Sequence, residues 1–320
     1  METIVPLWLW LVFVGFVLAA LFVDFAVLKK QGAHAVGIKE AVNWSLIWVG
    51  LSFLFNGLLW WAVKDSTGSS ELANQKSLEF LTGYLIEKSL AVDNIFVFLL
   101  IFSYFAVPAA YQKRVLMIGI VGAIVLRTVM ILVGGWLLAQ FHWLLYVFGA
   151  FLVLTGVKMW RGAGEEPALG DNPALKLLRR LMPVSQHYEG EKFWTVENGK
   201  KIATPLLMVI AMVGLTDVIF AVDSIPAIFA ITKDPFIVLT SNVFAILGLR
   251  AMFFLLAGMA DRFHLLPYGL AVVLAFIGSK MLLVDVYKIP VLWSLGTVAM
   301  ILAVTVALSL ARPQKADTAA

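Results

Sequence analysis

Nine stretches of this sequence are apolar over membrane-spanning length, at about 6–28, 42–63, 79–105, 113–139, 142–160, 204–231, 236–259, 264–285 and 290–311. A crossing helix needs roughly 20 apolar residues. Lipid offers backbone N–H and C=O groups no partner, so each stretch is predicted to be helical. The expected fold class is all-α: a polytopic integral membrane protein with about nine transmembrane helices. A soluble fold is excluded, because hydrophobic residues make up 62% of the chain and charged residues only 14%, against about 25% charged in soluble domains. The stretch behind Met1-Glu2-Thr3 lacks a basic leader and is read as a retained first helix.

Loop charge gives an orientation. Lys29, Lys30 and Lys39 follow the first span, and Lys113 and Arg114 follow the third. The 161–203 segment carries Arg161, Lys176, Arg179, Arg180, Lys192, Lys200 and Lys201, Arg262 follows the seventh span, and Arg312 and Lys315 lie in the tail. All fall on one side if the N-terminus is outside and the C-terminus cytoplasmic, as basic residues in cytoplasmic loops require. The 161–203 segment is predicted to be a cytoplasmic linker with one short amphipathic helix around 174–181.

The linker separates two related halves. Phe141-His142 matches Phe263-His264 at an offset of 122 residues, which also relates Gly156 to Gly278, Lys158 to Lys280 and Met159 to Met281. Leu126-Arg127 matches Leu249-Arg250 with one residue of slippage. At an offset of 130, Ala91-Val92-Asp93 matches Ala221-Val222-Asp223, Glu87 falls on Asp217, and Asn94 on Ser224. Each unit holds three spans, an odd number, so the second enters the membrane from the opposite side. Inverted repeats of this kind place substrate sites near the midplane at their interface. The predicted division is 1–78 (two helices), 79–160 (first repeat), 161–203 (linker), 204–285 (second repeat) and 286–320 (last helix and tail).

The repeat-equivalent positions carry the chemistry. Glu87, Asp93, Asp217 and Asp223 lie inside predicted spans, where an ionisable side chain is costly and marks an ion pathway. Asn94 and Ser224 add neutral oxygens beside them. Acids six residues apart stand about 240° apart around a helix and roughly 9 Å apart along it. They cannot share an ion from one unbroken helix. Either the helices unwind at the motifs, with Pro226, Gly214 and Gly83 loosening them, or each acid pairs across the inverted axis, Glu87 with Asp223 and Asp93 with Asp217. Lys88, Arg127 and Arg250 are also intramembrane. They could serve as counter-ions that hold the acids when the ion leaves, or fix helix packing; a structural reading pairs them with three of the four acids. Asp24, near the inner end of the first span, and Lys158 and Lys280, near span ends, read as tolerated charges.

Carboxylate, amide and hydroxyl oxygens suit a hard divalent cation such as Mg²⁺, Ca²⁺ or Mn²⁺. Cysteine is absent from the chain, which excludes disulfides, thiol relays and Cys-ligated clusters. No nucleotide-binding loop is present, a net charge of +4 is too small to point to nucleic acid, and no nucleophile and base are spaced as in an enzyme. No cofactor is expected, and the expected partners are the transported cation and the bilayer.

The segments Glu87-Lys88-Ser89-Leu90-Ala91-Val92-Asp93-Asn94 and Asp217-Val218-Ile219-Phe220-Ala221-Val222-Asp223-Ser224-Ile225-Pro226-Ala227 resemble the paired motifs of the TerC family, the tellurium-resistance C membrane proteins, and within it the Alx branch. The resemblance covers nearly the whole chain. It implies Mn²⁺ efflux across a bacterial inner membrane, with Glu87, Asp93, Asp217 and Asp223 serving the ion, and a link to alkaline conditions. The family also carries a label as a redox modulator. The competing expectation is a non-transporting membrane partner with structurally paired acids.

Overall fold

A computed structural model describes residues 3–31, 37–141, 143–162, 175, 176, 180, 183–185, 187–197, 200–257, 264–287 and 289–311; the side chains of 27–31, 93 and 200 lie outside the described set. Among the described residues ten long helices follow in order: α1 (Leu7–Gln31), α2 (Ile38–Thr67), α3 (Ser70–Tyr104), α4 (Ala109–Gln140), α5 (Leu144–Gly162), α6 (Pro205–Phe229), α7 (Pro235–Leu247), α8 (Leu249–Ala257), α9 (Leu266–Leu282) and α10 (Val291–Ala311). Every expected span is helical. The seventh is broken into α7 and α8, which bend by 41°.

Local chemistry sets the boundaries. Gly68 ends α2 in the left-handed region at φ 71°, where a Cβ is disfavoured. Ser69 then starts α3 by accepting from Leu72 N at 3.2 Å, and Asp234 starts α7 by accepting from Phe236 N at 3.0 Å, each satisfying a free N–H of the first turn. Pro235 follows as the first helical residue, where a missing N–H costs nothing.

Among the described residues six helices are long and apolar enough to cross a membrane, or seven if the bent pair is one span. α9 misses that criterion at 17 residues. α3 misses it because it carries Glu71, Lys76, Glu79, Glu87, Lys88 and Asp93. Yet α3 is the central helix, packed against α2, α6, α7 and α10. Lys76, Glu79, Thr82, Glu87 and Asn94 are buried, so its polar groups meet protein, not lipid. Large apolar side chains of α1 and α10 instead point outward, including Leu7, Leu11, Phe22, Leu292, Trp293 and Met300.

The tightest helix pair is α5 with α9, antiparallel and closed by glycines. A Cβ at Gly156 would stand 2.7 Å from Ala271 O and 3.0 Å from Ala275 N, and one at Gly278 would stand 2.7 Å from Gly149 O and 2.8 Å from Val153 N. Shifted by 122, Gly149, Val153 and Gly156 become Ala271, Ala275 and Gly278. The two sets of contacts are therefore one set exchanged, as a local twofold axis between α5 and α9 requires. Gly156→Ala is expected to destabilise the protein by about 1–3 kcal/mol, because backbone atoms must move. Gly122→Ala, with nothing within 4 Å, is expected not to. Thermal unfolding of the two purified variants in one detergent checks this; equal midpoints would mean that α5 and α9 do not need the close approach.

The 161–203 segment contains an antiparallel hairpin, β1 (Trp194–Glu197) with β2 (Lys200–Ala203), which the linker reading did not anticipate. Asn198-Gly199 between the strands was the available signal. Tyr188 donates to Phe105 O at 2.8 Å and Arg114 pairs with Glu191, so the segment docks on the α3–α4 connection. Most of the expected short helix at 174–181 lies outside the described residues.

Candidate functional site

Arg127 of α4 is the centre of the site. It is 2% exposed and is among the largest fully buried side chains. Its Nη1 pairs with Glu87 Oε1 of α3, and its Nη2 donates to Asp217 Oδ1 of α6 at 3.0 Å. Nη1 also donates to Asn242 Oδ1 of α7 at 3.3 Å and reaches Ser224 Oγ at 3.5 Å. Four helices thus converge on one guanidinium, whose planar fork suits two carboxylates at once.

The balance of charge and hydrogen bonding is incomplete. Two buried carboxylates face one guanidinium. Among the described residues Glu87 Oε2 and Asp217 Oδ2 have no hydrogen-bond partner. Buried polar oxygens without partners are rare and need a reason. A small cavity bordered by Ala91, Leu116, Arg127, Asp217 and Leu249 adjoins the pair on the α8 side.

The site departs from the sequence expectation in several places. Glu87 meets Asp217, its own repeat equivalent, through Arg127, and not Asp223. Neither motif unwinds: α3 runs unbroken over Ser70–Tyr104 and α6 over Pro205–Phe229. Pro226 sits in the last turn of α6 and forfeits the single bond to the Val222 carbonyl, and the helix still runs to Phe229. With both helices intact, residues six apart must face different neighbours. Asp223 accordingly turns to α5 and accepts from Thr155 Oγ1 at 3.2 Å. Among the described residues no group of three or more His, Cys, Asp or Glu stands at metal-ligand spacing. Asn94 is buried on α3; the Asp93 side chain lies outside the described residues.

Two of the three expected counter-ions are engaged elsewhere. Arg250 of α8 donates to Asp24 Oδ1 of α1 at 2.7 Å and lies 3.3 Å from Met117 Sδ; Asp24, read from sequence as a tolerated charge, is 1% exposed. Lys88 donates to Ala245 O at 3.2 Å, placing a cation at the C-terminus of α7, where the helix dipole favours it. A Cβ at Gly248 would run into Lys88 Nζ, so the break in the seventh span leaves room for the lysine.

Other functional candidates were missed. Asn242 belongs to Thr240-Ser241-Asn242, all fully buried, and that polar triplet inside an apolar span was a usable signal. A second polar layer lies two helical turns away, at the end of the bundle that carries the N-terminus. A cavity of about 640 Å³ opens there, lined by Lys76, Glu79, Thr232, Lys233, Asp234 and Lys280, among others. Lys76 Nζ is 2.8 Å from Glu79 Oε2 and 4.0 Å from Asp234 Oδ2. Burial pushes the Asp234 carboxyl above its usual range, opposed by Lys76 and by hydrogen bonds from Thr3 and the Phe236 amide. Lys280, half-buried at the cavity wall, donates to Ser294 Oγ at 2.9 Å.

A sequence model of the integral membrane protein TerC family matches residues 72–317, which include the whole site. The chain belongs to the TerC family. It is 56% identical over 305 residues to Alx of Escherichia coli (strain K12), named as a proposed membrane-bound redox modulator, covering 95% of each chain. It is 55% identical over 309 residues to the protein of the same name from Salmonella typhi, covering 97% of this chain and 96% of that one. A membrane protein of Rickettsia bellii (strain RML369-C) is 38% identical over 309 residues, covering 96% and 99%. No solved structure matches this TerC protein.

Proposed function

We propose that this TerC protein is a secondary transporter that exports a hard divalent cation, Mn²⁺ in particular, across the bacterial inner membrane, with its N-terminus outside and its C-terminus in the cytoplasm. The observation that carries the reading is the layer around Arg127. Carboxylates from equivalent positions of two repeats close on one guanidinium and keep acceptor oxygens to spare. In a purely structural pair, the buried charges and lone pairs are expected to be matched. A transporter needs instead a site that is neutralised without its ion and attractive to it. Arg127 meets the first need, and Glu87 Oε2 and Asp217 Oδ2 the second.

In this mechanism the cation approaches Glu87 and Asp217, and Arg127 withdraws toward Asn242 and Ser224. Asp223, which turns to α5, and the motif residue Asp93 of α3 serve the ion as it moves. The local twofold axis between α5 and α9, extended over both three-helix units, relates the outward-facing and inward-facing arrangements. Mn²⁺ as the ion, and export as the direction, rest on the family resemblance; the donor oxygens fit any hard divalent cation. The redox name of the relatives has no support from side chains here, since the chain contains no cysteine and so has no thiol couple of its own.

The test is Mn²⁺ flux into proteoliposomes holding the wild type, Glu87→Gln, Asp217→Asn, Asp93→Asn or Asp223→Asn. The wild type is expected to move the ion, and each variant to lose most of the flux. A wild type that moves no divalent cation under any gradient removes the transporter reading. Undiminished flux in the variants removes the site assignment.

A further inference from the structure

The cavity at the N-terminal end of the bundle repeats the design of the Arg127 layer. In each layer α3 supplies a glutamate, the second half of the chain supplies an aspartate, and one basic side chain lies between them. Glu79, Lys76 and Asp234 match Glu87, Arg127 and Asp217 in this sense. Glu79 and Glu87 are eight residues apart on α3, about 12 Å along the axis and about 80° apart around it.

We propose that Glu79 and Asp234 form a second station for the transported divalent cation, from which it leaves to, or enters from, the outer solution, with Lys76 as the resident counter-ion. This rests on the transporter reading. Three observations carry it. The station faces a cavity of about 640 Å³, ample for a hydrated ion. Asp234 is 6% exposed and lines that cavity, yet among the described residues its Oδ2 has no hydrogen-bond partner; Lys76 at 4.0 Å is beyond hydrogen-bond reach. The remaining carboxylate oxygens are held by neutral donors, joined at Glu79 Oε2 by Lys76 Nζ at 2.8 Å, and these preset their positions. Thr232 Oγ1 donates to Glu79 Oε2 at 2.6 Å, Gln75 Nε2 to Glu79 Oε1 at 2.9 Å, and Thr3 Oγ1 to Asp234 Oδ1 at 3.0 Å.

Buried polar side chains lie between the two layers. Thr82, Thr240, Ser241 and Asn242 are fully buried, and a Cβ at Gly83 would stand 2.8 Å from Ser241 Oγ, so α3 and α7 touch through hydroxyl and backbone. The layers differ in charge. Around Arg127 two carboxylates face one cation, whereas Lys233 and Lys280 line the cavity in addition to Lys76 beside its two carboxylates. The outer station therefore binds the ion more weakly than the inner one, as a point of exchange with solution should.

The experiment is equilibrium binding of Mn²⁺ to the purified full-length protein in detergent, read from the spin-resonance signal of free Mn²⁺. The wild type is expected to bind in two classes. Asp217→Asn abolishes the tighter class, and Glu79→Gln and Asp234→Asn weaken the looser class roughly tenfold or more, since affinity follows the number of charged ligands. Lys76→Gln tightens the looser class, an effect of opposite sign that a structural role for the network does not produce. A wild type with a single class, removed by Asp217→Asn, overturns the outer station and leaves the transporter reading standing. So does an unaltered looser class in all three outer variants, or a parallel loss of binding and thermal stability in all three. A wild type that binds no Mn²⁺ overturns the transporter reading, and the station with it.

Discussion

Replacing Arg127 by methionine is expected to destabilise the protein by about 3–5 kcal/mol, because Glu87 and Asp217 would stay buried without their cation. The guanidinium is 2% exposed and bonded to α3, α6 and α7 at once. Neutralising an acid in the same chain, as in Arg127→Met with Glu87→Gln, is expected to recover much of the loss. Thermal unfolding in detergent measures both. If Mn²⁺ replaces the guanidinium between the carboxylates, added Mn²⁺ raises the melting temperature of Arg127→Met more than that of the wild type. A smaller or equal rise would show that ion and arginine do not compete, and the transport mechanism proposed for this TerC protein would go with it.

The second large effect is expected at Asp24. Asp24→Asn leaves Arg250 with no carboxylate inside the bundle, and a loss on the order of 3–5 kcal/mol is expected. The pair is short at 2.7 Å and almost fully buried at both ends. Asp24→Asn with Arg250→Met removes both charges and is expected to regain most of the stability. Unlike Arg127→Met, the Asp24 variant is expected to gain no extra protection from Mn²⁺, since Arg250 does not touch the motif acids. Equal Mn²⁺ protection of the two variants would count against placing the ion at Glu87 and Asp217.

These contrasts follow from an asymmetry between equivalent arginines. Arg127 holds two motif acids, while Arg250 holds an acid of α1, a helix outside the repeats. α1 thereby gives Arg250 a partner that Arg127 has no counterpart for. Lys88, next to Glu87 in sequence, takes a third role at the end of α7. Three basic residues that look interchangeable on paper thus do three different things.

The sequence by itself determined that the chain is a helical membrane protein of the TerC type. Runs of apolar residues decide this locally, since lipid leaves the backbone no alternative to the helix. It also marked buried polar residues that the fold brings together: Glu87, Asp217, Ser224 and Arg127 are legible as ionisable or polar groups inside spans, and all meet in one layer. The glycine register at an offset of 122 marked the α5–α9 contact. What only the tertiary structure decided was who pairs with whom. Pairing depends on the rotation of each helix about its axis, and a step of one residue turns a side chain by about 100°. Hence Glu87 faces Asp217 and not Asp223, Arg250 finds Asp24, and Asn242 joins the site. The layer at Lys76, Glu79 and Asp234 was illegible for the same reason. Its members come from the start of α3 and from the turn before α7, more than 150 residues away, and only the packing of α3 against α6 and α7 brings them to one cavity.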